Sequence, residues 1–170
     1  RNSQNIDKLN RQGIKSCDWS QEEAVIDLIN KSNTILITVP PNNFVDPVAN
    51  KYSKYFAQTG NKKRLIYLSS TSVYGDHKGG WVNENSITKP TSSNGLSRLA
   101  AENTWRELSI KNEYPLQIFR LAGIYSNEYN IQFCQIELVY YHQQCMYYQN
   151  LILHHHINDL SPLQLLYFVL

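Results

Sequence analysis

Apolar residues along this chain alternate between two spacings. Thr34-Ile-Leu-Ile-Thr-Val39, Arg64-Leu-Ile-Tyr-Leu-Ser69 and Leu116-Gln-Ile-Phe-Arg-Leu121 are short, nearly continuous apolar runs. Each reads as a strand of a parallel sheet covered on both faces, and Pro40-Pro41 stops the first. Between them the spacing turns helical. Val48 to Gln58 predicts one helix, closed by Gly60. Ser92 to Lys111 predicts another, with Leu96, Leu99, Ala100, Trp105 and Leu108 along one side.

Upstream, Ser3 to Gln12 has Ile6 and Leu9 at helical spacing with Gly13 as a stop, and Ile14 to Trp19 reads as a short strand. Ser20-Gln-Glu-Glu23 has the form of a capping box, in which serine and glutamate satisfy each other's backbone amides. It predicts a helix to about Lys31 that buries Ala24, Val25, Leu28 and Ile29. Strands alternating with helices predict an α/β fold, a doubly wound parallel sheet.

Composition sets bounds on this picture. The chain has 170 residues, 42% hydrophobic and 18% charged, which argues against disorder and against a membrane protein. No apolar run reaches membrane-spanning length. A net charge of +2 offers no basic face for nucleic acid. Cys17, Cys134 and Cys145 lack metal-ligand spacing and read as reduced thiols of a cytoplasmic protein. The composition changes after Arg120: all 16 Lys and Arg lie at or before it, while seven of the 12 tyrosines follow it.

Ligands of a doubly wound sheet bind at the carboxyl ends of its strands. Ser69, Ser70, Thr71 and Ser72 stand at one such end, followed by Tyr74-Gly75 and a loop over 74–91 rich in Gly, Asn, Lys and Pro. Four hydroxyl residues in a row serve either to satisfy turn amides or to meet a substrate.

The order SSTSVYGD, WVNENSITKPTSS, RLAAE and IFRLAGIY, spread over residues 14–128, resembles the NAD-dependent epimerase/dehydratase group of the short-chain dehydrogenase/reductase superfamily, in its atypical, extended-like branch. The resemblance implies a Rossmann-like fold, NAD or NADP as cofactor, and a small carbonyl compound or nucleotide sugar as substrate; it leaves room for a homodimer. It puts Ser70 at the position of the catalytic serine or threonine. Thr38, Val39, Pro40 and Pro41 fall on the strand end that lines the cofactor, and Thr71, Tyr74, Arg120 and Tyr125 on the substrate side.

Two departures stand out. The family's helical tyrosine, its general acid/base, is replaced by Asn94, a carboxamide that exchanges no proton at neutral pH. The lysine four residues on is replaced by Arg98, which keeps the charge and can reach a ribose hydroxyl or a phosphate. Arg98 can equally pair with Glu102 one helical turn later. Tyr74, Asp76 and His77 are alternative proton carriers or plain loop residues.

The family's glycine-rich phosphate turn has no counterpart among the seven glycines. Aligning Thr34 to Val39 with the family's fourth strand puts the first two strands upstream of Arg1. This predicts a fragment with an incomplete sheet and two apolar strand edges exposed. Residues 1–128 then form a partial NAD(P)-binding domain. Residues 129–170 form a degenerate or poorly ordered substrate-side segment, in which His156-Ile-Asn-Asp159 weakly matches a family motif. His154-His-His156 is the alternative metal patch, without the carboxylates or thiolates that would complete it, so no metal is expected.

Overall fold

A computed structural model describes residues 3–11, 13, 16–56, 63–122, 136–141 and 165–168. The protein is α/β and Rossmann-like. Helices α1 (Ser3–Arg11) and α2 (Glu22–Lys31) lead into strand β1 (Thr34–Ile37). Helix α3 (Pro47–Phe56) connects it to β2 (Arg64–Ser70), and α4 (Ser93–Asn112) connects β2 to β3 (Leu116–Leu121). The expected elements therefore form within a few residues of their sequence bounds, except the strand over 14–19, where residues 16–20 are irregular.

β1, β2 and β3 pair in parallel, Ile35 against Leu65 and Leu65 against Leu116. Two strands from the tail extend the sheet, in the order β4-β3-β2-β1-β5 among the described residues. β4 (Ile136–Tyr141) runs antiparallel to β3, and β5 (Leu165–Phe168) runs parallel to β1 on its outer edge. The edge of β1 that was expected to lie open is thus paired by the chain itself.

Burial alternates along β2 and β3, with every second residue buried and the others half-buried apart from exposed Arg64. The buried positions face the helices. Trp105 of α4 stacks on Phe56 of α3 at 5.8 Å and leans on Tyr67 of β2 at 6.3 Å. Ile29, Ile35, Ile37, Val48, Tyr52, Leu65 and Ile118 fill the remainder of this core. The continuous apolar runs predict two covered faces; among the described residues one face is sealed and the other partly covered.

The capping box does not form. Ser20 Oγ donates to Asp18 instead, and Gln21 stands at the N-cap of α2 without a side-chain cap bond. The other end of α2 is closed from a distance. The Lys63 ammonium, just before β2, donates to the carbonyls of Ile29 (2.7 Å), Asn30 (3.1 Å) and Ser32 (2.7 Å). A cation there complements the helix dipole, and burial lowers its pKa.

Candidate functional site

The carboxyl edge of β1 and β2 is built by two loops. After β1, Thr38 is half-buried, Val39 is core and Pro40 is exposed. Two prolines supply no ladder N–H, so pairing ends there. The chain then makes a tight turn in which Asn42 and Val45 exchange two backbone hydrogen bonds of 2.9 Å. Asn43 (φ 45°) and Phe44 (φ 66°) both take the left-handed conformation that this turn requires.

Asp46 follows and starts α3. Its Oδ1 accepts from Val48 N (2.9 Å) and Ala49 N (2.8 Å), and its Oδ2 accepts from Trp105 Nε1 (3.1 Å). Burial pushes this carboxyl up, against the pull of those three donors and the Arg98 charge.

After β2, Ser70 Oγ accepts from Ser72 N at 3.2 Å and starts a single 3-10 turn, Thr71–Val73. Thr71 Oγ1 lies 3.5 Å from the Leu121 carbonyl at the end of β3. Part of the hydroxyl run therefore ties down backbone, as one of its two readings required. Tyr74 is buried, with the Arg120 guanidinium over its ring at 4.7 Å.

Gly75 (φ 73°) passes so close to Lys89 that a Cβ would stand 1.8 Å from its carbonyl oxygen. Lys89 N donates to Tyr74 O (3.1 Å) and His77 Nε2 lies 3.1 Å from Ile87 O, which closes the base of the loop. Asp76 accepts from Lys78 N at 2.7 Å. Asp76 and His77 thus act within the loop, bonded to its own backbone.

α4 starts against this turn. Ser92 caps it by accepting from Gly95 N at 3.0 Å, and a Cβ on Gly95 would lie 2.5 Å from the Ser72 carbonyl. Asn94 is exposed in the first helical turn. One turn on, Arg98 Nη1 donates to Leu68 O (2.8 Å) and Tyr67 Oη (3.3 Å). Burial raises the Tyr67 hydroxyl to about 12, only partly offset by Arg98.

The alternative Arg98–Glu102 pair does not form. Glu102 turns inward to Arg120 (3.0 and 2.8 Å) and takes Arg106 at 2.7 Å. Ser69 is buried beside it, with its hydroxyl unpaired among the described residues. Arg120, expected on the substrate side, is an interior residue of the β3–α4 interface, 3% exposed.

Ser70, Thr71, Thr38 to Pro41, Asn94 and Arg98 are therefore brought to one end of the sheet. Tyr125, Cys134, Cys145 and His154 to Asp159 lie outside the described residues. Cys17 is half-buried with its thiol pKa pushed up by burial and by Asp18, which makes it a poor nucleophile. Among the described residues no helix is long and apolar enough to cross a membrane, and no three His, Cys, Asp or Glu side chains gather as metal ligands.

Asp46 and Lys63 were not singled out from the sequence. Asp46 had a legible signal: an aspartate before Pro47 is a helix N-cap followed by proline at the first helical position. Lys63 had none, because its three carbonyl partners lie more than thirty residues away.

No protein-family model matches the chain, and no curated relative matches it. Solved structures do. A functionally unknown conserved protein from Silicibacter pomeroyi DSS is 33% identical with a TM-score of 0.66, over 76% of this chain and 44% of that one. A mutant UDP-glucuronic acid 4-epimerase from Bacillus cereus, in complex with NAD and UDP-4-deoxy-4-fluoro-glucuronic acid, is 18% identical with a TM-score of 0.52, over 67% of this chain and 41% of that one. The second likeness is one of fold. The chain spans less than half the length of either protein.

Proposed function

We propose that this chain is the nicotinamide-side part of an NAD(P)-dependent, epimerase/dehydratase-like protein of the short-chain dehydrogenase/reductase superfamily, acting on a small carbonyl compound or a nucleotide sugar. One observation carries the reading. Ser70 ends β2, Arg98 reaches from α4 to the Leu68 carbonyl of the same strand, and Thr38 to Pro41 end the neighbouring strand. That edge is where α/β sheets of this kind take their ligands. The Bacillus cereus epimerase of like fold is an NAD complex.

The residues present fit the nicotinamide and ribose end of such a cofactor. Arg98 donates to Leu68 O and Tyr67 Oη through Nη1, so its remaining N–H groups can serve a ribose hydroxyl or a phosphate oxygen. The sequence holds no glycine-rich turn for the pyrophosphate. The cofactor, when bound, gives or takes hydride. Ser70 accepts from Ser72 N, which leaves its own O–H to donate to a substrate carbonyl oxygen.

A second reading is dinucleotide binding without acid/base chemistry, and Asn94 favours it: the exposed carboxamide in the first turn of α4 moves no proton. Energy transfer from the three tryptophans to added NADH or NADPH tests both readings. Saturable transfer is expected, and none at millimolar cofactor overturns both. Oxidation of NADPH by small aldehydes, or reduction of NAD+ by UDP-sugars, lost in Ser70→Ala, is expected of the first reading; bound cofactor without turnover is expected of the second.

A further inference from the structure

Packing requires glycine at 95. The first turn of α4 lies against the 3-10 turn that follows β2, and a Cβ there would meet Ser72 O at 2.5 Å and Pro90 Cβ at 2.9 Å. The same glycine follows Asn94, an exposed asparagine in the first helical turn. An asparagine followed by glycine has the least steric hindrance to attack by the next backbone nitrogen on its own side-chain amide. We propose that Asn94–Gly95 is a covalent modification site, where succinimide formation and hydrolysis convert Asn94 to aspartate or isoaspartate, and that the Ser92 cap gates the reaction.

The chemistry balances with water alone. Gly95 N attacks Asn94 Cγ, a C–N bond forms, the bond from Cγ to Nδ2 breaks, ammonia leaves, and the amide proton goes to solvent base. Water then adds to either carbonyl of the ring and opens it. In the closed helix this attack is blocked twice. Gly95 N–H is held by Ser92 Oγ at 3.0 Å, and helical backbone at Asn94 keeps the nitrogen out of line. Leu96 N also holds the turn, donating to Ser92 O at 2.9 Å. The reactive form is thus the frayed first turn, and its population sets the rate.

The two products differ in their effect. Aspartate places a negative charge in the first turn, where the unpaired amides and the helix dipole favour it. Isoaspartate adds a methylene to the main chain one residue before Gly95 and breaks the fit under Ser72.

The test uses the whole chain aged at mildly alkaline pH, followed by peptide mass spectrometry that localises the amide-to-acid mass change. Asn94 is expected to convert faster than Asn83 and Asn85 in the neighbouring loop. Ser92→Ala is expected to speed its conversion about fivefold, the opening that loss of an N-cap of about 1 kcal/mol implies. Asn94→Gln serves as the blank. A native chain in which Asn94 persists while the urea-unfolded chain converts overturns the site. A Ser92→Ala rate equal to wild type, with the helix intact by circular dichroism, overturns the gate.

Discussion

Arg120 of β3 closes on Glu102 of α4 through two charge-assisted hydrogen bonds, Nε to Oε1 at 3.0 Å and Nη2 to Oε2 at 2.8 Å. Both side chains are buried, so the pair fixes α4 on the sheet and with it the helical turn that carries Arg98. Truncating one partner would leave the other charge buried and alone. Arg120→Met is expected to cost about 3–5 kcal/mol, read as a lower urea midpoint. Arg106, at the rim of the same carboxylate, is expected to cost about 1 kcal/mol or less on the same substitution. Equal losses would contradict this division.

The two buried carboxylates respond to pH with opposite sign. For Glu102, burial raises the pKa, but the bonds from Arg120 and the charges of Arg120 and Arg106 outweigh it and hold the group below its ordinary value of 4.5. Its contribution is present above 4.5 and is lost as pH falls through the folded value. Asp46 is raised above 3.8 by burial, so its contribution is present below 3.8 and is lost as pH rises through the folded value. Asp46→Asn removes that loss. As pH rises above 3.8, its urea midpoint should fall less, or rise more, than that of the wild type. Parallel curves would show that Asp46 is not shifted.

Gly75 and Gly79 separate steric overlap from backbone conformation. Both have left-handed φ, 73° and 77°. A Cβ meets Lys89 O at 1.8 Å at the first and nothing within 4 Å at the second. Gly79→Ala is expected to cost about 1–2 kcal/mol, the price of the conformation alone. Gly75→Ala should cost clearly more and free the base of the 76–90 loop, seen as faster exchange of the Lys89 amide. Equal costs would mean that the approach to Lys89 is loose.

Local signals in the sequence were read well where local physics decides. The three apolar runs became β1, β2 and β3 because a half-buried parallel strand needs little more than apolar residues and a stop. Ser20 shows the limit: it had the form of a cap, yet Asp18 lay nearer and took its hydroxyl. Leu96 sits on the apolar stripe of α4 but is 42% exposed, because Gly95 and Glu102 are the residues this helix turns inward. The bonds from Arg98 to Leu68, from Arg120 to Glu102 and from Lys63 to the end of α2 were illegible, since each is chosen by tertiary contact across eighteen or more residues. The pairing of β5 with β1 was illegible for the same reason: Leu165 meets Thr34 only once the sheet exists.

Lys63→Met tests the long-range cap. Removing the ammonium takes a donor from the Asn30 and Ser32 carbonyls, while Ile29 O keeps the Ser32 amide, and is expected to cost about 1–3 kcal/mol. Amide exchange should quicken in the last turn of α2, near Lys31, and not in α4. Uniform quickening across both helices would instead report global destabilisation.

The central claim is that the carboxyl edge of β1 and β2 receives a nicotinamide cofactor, with Arg98 as a contact. Hydrogen exchange read by mass spectrometry, with and without saturating NADPH, locates that contact directly. The account predicts slower exchange in residues 38–46 and 69–75 and in the first turns of α4, diminished in Arg98→Met. Unchanged exchange in all three segments, or protection confined to the opposite end of the sheet, would contradict it.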